Sequence, residues 1–335
     1  MESYGREYPL QLIRDWDKAM VGQREYKEAL ARNLYRYVVK GEVPSPMLVM
    51  GPTGSGKTFL PTLFKKSKLC PPQFTVFIKN ISCLTMEGVK GEDLEEIFKE
   101  YKTLCQAQGN RGYRGLIYLD EVDKLITSQE SAVEFVADQG RMVQHQLMQI
   151  LDGGEMAGVP LNKIMFVFGG AFYQLRDRKK ETENLRPIGF GAESIRKPVL
   201  LKDNTIREKL TEIGFQREFL GRIGQIVQLQ ALNEAELKAL FLHPTKGVLS
   251  RLQKEYEADG IRLEVEDTVV DDIIRSVVQE NLGARSLPNV MEQLLSGAWI
   301  RCIEEGYDKI IINKGTLCGE GVKFSTENRY ISMSS

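Results

Sequence analysis

Five short apolar runs, each bounded by turn-forming residues, punctuate the first two thirds of the chain: Met47–Met50, Phe74–Ile78, Leu116–Leu119, Ile164–Phe168 and Ile226–Leu229. Runs this short, with no polar alternation, predict strands buried on both faces, and the long helix-compatible stretches between them predict crossovers. Between the second and third runs, Leu94, Ile97, Phe98, Tyr101 and Leu104 recur at steps of three and four behind Asp93 as N-cap. That spacing predicts an amphipathic helix. The alternation as a whole defines an α/β fold with a parallel sheet sandwiched by helices.

Beyond Leu229 the texture changes. Asn233–Tyr256, Asp267–Glu280 and Ala284–Glu305 read as three helices and Ile310–Ile312 as a short strand, so a smaller, mainly helical domain is expected. The expected divisions are an N-terminal extension at 1–18, a large domain at 19–229, a small domain at 230–320 and a tail at 321–335. The charged stretch from Arg176 to Glu183, followed by Asn184 and Pro187, has no period and is expected to be a long surface loop of the large domain.

Composition narrows the class. With 42% hydrophobic and 27% charged residues in 335, disorder and a membrane bundle are both poor descriptions. A formal net charge of −1 supplies no global attraction to nucleic acid or an anionic membrane. The five cysteines (Cys70, Cys83, Cys105, Cys302, Cys318) form no CxxC pair, and with two histidines they make neither a disulfide framework nor a zinc module. Met1–Asp17 has no hydrophobic targeting core, so a cytoplasmic protein is expected.

The first chemical signal is Gly51-Pro52-Thr53-Gly54-Ser55-Gly56-Lys57-Thr58, which fits G-x-x-x-x-G-K-[ST] and lies directly after the run Met47–Met50. Small residues let backbone N–H groups close around a phosphate, Lys57 neutralises the β and γ phosphates, and the Thr58 hydroxyl is placed to ligate Mg2+. Pro61 stands inside the helix expected to follow, where it removes a hydrogen bond and crowds the Lys57 carbonyl, so a distorted first turn is predicted. The second signal is Leu116-Ile117-Tyr118-Leu119-Asp120-Glu121, a Walker B pattern. Asp120 at the carboxyl end of a strand can hold magnesium, and Glu121 can polarise the water that attacks the γ phosphate. ATP and Mg2+ are the expected cofactors.

With both Walker motifs, Asp-Glu-Val-Asp-Lys at 120–124 and a helical second domain, the chain resembles the AAA+ ATPases, and several stretches resemble the ClpX family over residues 16–315. Met20-Val21-Gly22-Gln23 is similar to the family's adenine-contacting box, which implies that Val21 packs on the base; Phe59 joins the implied nucleotide contacts. Gly214–Arg222 resembles the box whose last arginine reaches the neighbouring subunit's γ phosphate, which makes Arg222 the arginine-finger candidate. Gly283-Ala284-Arg285-Ser286-Leu287 resembles the sensor 2 motif, which implies that Arg285 contacts the phosphates of its own subunit. Gly88–Asp93 matches the pore-1 segment, and Ile188-Gly189-Phe190-Gly191 resembles the loop that docks on the ClpP peptidase. An exposed Ile188 and Phe190 in a charged loop would serve that docking; tucked back onto their own domain, they would be ordinary packing.

The resemblance implies a self-assembled ring, expected to be a hexamer, that hydrolyses ATP to unfold or remodel a polypeptide and can feed a ClpP-type peptidase. Departures from the family qualify it. Val89 and Lys90 stand where the pore normally carries an aromatic and an aliphatic residue, which weakens grip. The connection from Gly153 to Asn162 is short where the family has a substrate-entry insertion, the family's N-terminal zinc domain has no counterpart here, and no sensor 1 residue is assigned near Gly169. Two other readings stay open on the residues alone. One is a DNA-acting helicase or clamp-loader relative, which the net charge disfavours; the other is a non-enzymatic assembly factor, which Lys57, Asp120, Glu121, Arg222 and Arg285 together disfavour.

Overall fold

A computed structural model describes residues 5–81, 94–126, 134–173, 175, 203–280 and 283–326. Asp93, expected as an N-cap, Val89 and Lys90, expected in the pore, and Ile188, Gly189 and Phe190, expected to dock a peptidase, lie outside the described residues. The chain divides into two compact units, one from the described residues of 1–18, 23–52 and 56–230 and the other from those of 19–22, 53–55 and 231–335.

The first unit is built on a sheet of β1 (Met47–Met50), β2 (Thr75–Asn80), β3 (Gly115–Asp120), β6 (Ile164–Gly170) and β7 (Gln225–Gln228), all parallel among the described residues, in the order β2-β3-β6-β1-β7. Each of the five apolar runs coincides with one of these strands. The inner strands are apolar on both faces because helices cover both: every residue of β1 and β6 is buried. Around the sheet lie α1 (Tyr8–Asp17), α2 (Arg24–Val38), α3 (Phe59–Lys66), α4 (Leu94–Ala107), α5 (Glu134–Leu151), α6 (Asp203–Glu212) and α7 (Arg217–Arg222). Helix α4 buries Leu94, Ile97, Phe98 and Tyr101 as its periodicity predicts, with Cys105 rather than Leu104 as its last core residue. The short connection after Gly153 folds as the hairpin β4 (Glu155–Met156) and β5 (Val159–Pro160).

The segment expected as an extension is instead part of this unit. Tyr8, Leu12 and Trp16 recur on one face of α1 and are fully buried, the Tyr8 hydroxyl donates to the Leu69 carbonyl at 2.8 Å, and the buried Lys27 ammonium meets Asp17 at 2.6 Å. A helix that shields apolar surface of its own domain is not a loose arm.

The second unit holds α8 (Glu234–Phe241), α9 (Val248–Ala258), β8 (Arg262–Val265), α10 (Asp267–Gln279), α11 (Leu287–Leu294), α12 (Ala298–Glu305), β9 (Lys309–Ile312), α13 (Lys314–Leu317) and β10 (Lys323–Ser325). The helix expected over Asn233–Tyr256 is two, because Pro244 has no N–H to continue the ladder and disfavours helix at His243. The start of α8 is fixed by a capping box between Asn233 and Glu236. The helix expected over Ala284–Glu305 also breaks, at Gly297, whose φ of 73° is left-handed. A small sheet in the order β10-β9-β8 was not expected, and its last strand lies in the segment expected as a tail. Among the described residues, no helix is long and apolar enough to cross a membrane.

Candidate nucleotide site

The sheet order decides where the chemistry sits. β1 lies between β6 and β7, and β3 lies on the far side of β6, so the loop after β1 and the carboxyl end of β3 open on the same edge of the sheet. That edge, at the carboxyl ends of parallel strands, is where open α/β sheets bind ligands.

The loop after β1 is anchored at its root, where the Gly51 N–H donates to the Gly170 carbonyl at the end of β6 at 3.2 Å. It then turns through Gly54 and Gly56, whose φ values of 79° and 95° are left-handed, so these two glycines of the motif are conformational requirements. Lys57 is buried, and its ammonium curls back over the loop to donate to the carbonyls of Gly51 at 2.7 Å and Pro52 at 3.0 Å. Helix α3 begins at Phe59, which is exposed, immediately after Thr58. The positive end of its dipole faces the loop, a favourable setting for an anion.

The two Walker motifs meet through one hydrogen bond: Thr58 Oγ1 donates to Asp120 Oδ2 at 2.6 Å. The other oxygen of Asp120 accepts from the Glu121 N–H at 3.0 Å. These contacts fix the Asp120 carboxylate in the plane between loop and strand. The hydroxyl and carboxylate fit Mg2+, which takes one or two protein oxygens and completes its shell with phosphate and water. No group of three or more His, Cys, Asp or Glu side chains able to hold a metal occurs among the described residues.

Glu121 itself has φ of 61°, a left-handed backbone that a glutamate adopts at a cost of about 1 kcal/mol or more. The turn Val122–Leu125 that follows is held by Asp123, whose buried Oδ2 accepts from the Phe172 N–H at 3.2 Å. The carboxylate following Asp120 is therefore presented by a strained, braced backbone, as at functional sites generally.

Arg222 closes α7 and forms a two-point pair with Asp152, Nε to Oδ1 at 2.7 Å and Nη2 to Oδ2 at 2.8 Å. The pairing holds the Asp152 carboxyl below its ordinary range and raises the guanidinium further. The structure therefore brings Lys57, Thr58, Asp120 and Glu121 together and seats Arg222 on Asp152. Val21 and Arg285 belong to the second unit. There Arg285 is exposed in the turn Ala284–Ser286, whose Ser286 hydroxyl donates to the Gly283 carbonyl at 2.9 Å.

Sequence reasoning missed Asp152, Tyr26 and Tyr118. Asp152 lies 70 residues from its arginine in sequence, and Tyr26 reaches the Lys57 carbonyl from α2 at 2.8 Å. Tyr118 explains Gly169, because a Cβ there would fall on its hydroxyl.

Residues 47–177 match the ATPase family associated with various cellular activities (AAA). Residues 232–306 match the C-terminal, D2-small domain, of ClpB protein. With the Walker geometry above, the match gives the chain an AAA ATPase domain at residues 47–177, and the chain hydrolyses ATP. Along most of its length the chain is similar to ClpX subunits. It is 28% identical over 312 residues to ATP-dependent Clp protease ATP-binding subunit ClpX 2 of Wolinella succinogenes, covering 86% of this chain and 76% of that protein. It is 28% identical over 340 residues to ClpX of Treponema denticola (91% and 80%), and 29% identical over 355 residues to ClpX of Borrelia duttonii (95% and 80%).

Proposed function

We propose that this chain assembles with copies of itself into a ring, a hexamer, and uses ATP hydrolysis to unfold or remodel polypeptides in the cytoplasm. The observation that carries the reading is the 2.6 Å contact between Thr58 and Asp120 beside the buried Lys57, on a chain similar to ClpX subunits along most of its length. The large domain at 19–229, extended by α1, does the chemistry, and the small domain begins at about residue 230.

In this reading the loop Gly51–Thr58 wraps the phosphates, with Val21 and Phe59 bordering the nucleotide. Lys57 leaves the Gly51 and Pro52 carbonyls to neutralise the β and γ oxygens. Thr58 and Asp120 would hold Mg2+, which when bound would supply positive charge against the phosphate oxygens. Glu121 accepts the proton of the attacking water. Arg222 exchanges Asp152 for the γ phosphate bound to the neighbouring copy, so an isolated copy turns over slowly. Arg285 reads the phosphates of its own copy. Val89 and Lys90 line the pore, with less grip than an aromatic ring gives, and Ile188, Gly189 and Phe190 dock a ClpP-type peptidase.

The test is degradation of a loosely folded, tagged reporter by the protein with ClpP and ATP, comparing wild type with Phe190→Ala and Glu121→Gln. Degradation by wild type alone supports the reading. Hydrolysis without degradation removes the peptidase and leaves remodelling, and turnover stimulated by DNA rather than by unfolded protein overturns the polypeptide substrate.

A further inference from the structure

Pro61 leaves a gap in the turn that leads into helix α3, and another residue fills it. In an unbroken helix the N–H of residue 61 would donate to the carbonyl of residue 57. The rungs on either side are made, Leu60 N–H to the Gly56 carbonyl at 3.4 Å and Thr62 N–H to the Thr58 carbonyl at 3.3 Å, both long. Between them proline has no hydrogen to give. The Lys57 carbonyl instead accepts the Tyr26 hydroxyl at 2.8 Å, which reaches across from α2. Tyr26 is 1% exposed.

We propose that Tyr26 is a positioning residue of the nucleotide site, its hydroxyl replacing the helix bond that Pro61 cannot make and so fixing the backbone of Lys57. The inference rests on the nucleotide-site reading above. A loop that must present Lys57 and Thr58 in succession needs the peptide between them held, because a rotation there swings both side chains. In an ordinary helix the hold is local, a bond four residues along the same segment. Here it is tertiary and ties the phosphate loop to α2. The tyrosine suits the task because burial, and after it the nearby Asp120 carboxylate, push its phenol well above the ordinary tyrosine range, so it keeps its proton and remains a donor.

The reasoning makes Tyr26 and Pro61 interdependent. In Pro61→Ala an N–H lies between two rungs already formed and can donate to the Lys57 carbonyl, so the hydroxyl becomes dispensable. The experiment compares wild type, Tyr26→Phe, Pro61→Ala and the double variant by calorimetric titration with ADP, steady-state ATP hydrolysis, and urea unfolding without nucleotide. Tyr26→Phe alone weakens ADP binding and raises the KM for ATP by about tenfold, the effect of one lost buried hydrogen bond. In the Pro61→Ala background the same substitution changes both by less than about twofold, by the double-cycle logic.

An equal loss in both backgrounds overturns the proposal, as does a Tyr26→Phe protein that binds like wild type. So does a shift of the nucleotide-free unfolding midpoint with ADP affinity unchanged, the signature of a merely structural contact. Should Tyr26→Phe alone not fold, Pro61→Ala against the double variant still decides: equal ADP affinity supports the coupling and a tenfold difference refutes it. Wild type that binds no ADP refutes the nucleotide site itself, and the inference with it.

Discussion

Gly169 is the residue whose replacement tests the site geometry most directly. It lies in β6 opposite Val49, and a Cβ built there falls on the Tyr118 hydroxyl, with Tyr118 Cζ at 2.6 Å and Asp120 Oδ1 at 3.0 Å. Tyr118 is fully buried and has no room to retreat. Overpacking a close-packed core in this way costs about 1–3 kcal/mol. The strain is shared with Asp120, whose oxygens hold Thr58 at 2.6 Å and the Glu121 N–H at 3.0 Å, so moving the carboxylate breaks up the site. Gly169→Ala should lower the urea midpoint by roughly 0.3–1.5 M, taking a slope of about 2–3 kcal/mol per M, and reduce ATP turnover more steeply than stability. Adding Tyr118→Phe removes the atom the methyl lands on but keeps Cζ at 2.6 Å, so it should recover part, not all, of the lost midpoint. The assay is urea unfolding followed by tryptophan fluorescence, with phosphate release measured on the same proteins. A Gly169→Ala protein with wild-type midpoint and turnover would refute the packing argument.

Other outcomes follow from the same geometry. Glu121→Gln should bind ADP as wild type does while hydrolysis falls by about 10²- to 10⁴-fold, the range for losing a general base, measured by titration and phosphate release. Arg222→Ala should cut turnover of the assembled protein by about 10³-fold, whereas Asp152→Asn, which releases the guanidinium, should retain turnover; equal losses in the two would make the pair structural. Burial pushes the Cys70 thiol up to about 12, so its thiolate is scarce below that pH and gains population only as pH rises toward it. Peptide mapping after iodoacetamide at pH 8.5 should show the exposed Cys318 alkylated well before Cys70, with Cys70 reacting once urea unfolds the chain.

The fold was legible where it depended on local pattern. Met47–Met50 is a strand because four consecutive apolar residues need cover on both faces, and the sheet supplies it. The class of site was legible because phosphate chemistry demands glycine, lysine and threonine at set spacing. What escaped was non-local or too short. Arg262–Val265 alternates over only four residues, of which Leu263 is buried, too little to separate a strand from a turn. The breaks at Pro244 and Gly297 were visible as residues, yet the apolar periodicity on either side read straight through them. The partners that hold the site, Tyr26 on Lys57 and Asp152 on Arg222, exist only once distant segments meet.

The position of β1 also sets a timetable for biosynthesis. Its neighbours are β6 and β7, never the strand that follows it in sequence, so roughly 180 residues must emerge after Met50 before both edges of the strand are paired. At about 5–20 residues per second that interval is about 10–35 s. Throughout it the nascent chain carries Met47-Leu48-Val49-Met50 with at least one edge open, a template for wrong pairing. The phosphate loop, rooted on Gly170, cannot take its final form before β6 is made. The chain thus depends on the ribosome's surroundings until β7 arrives.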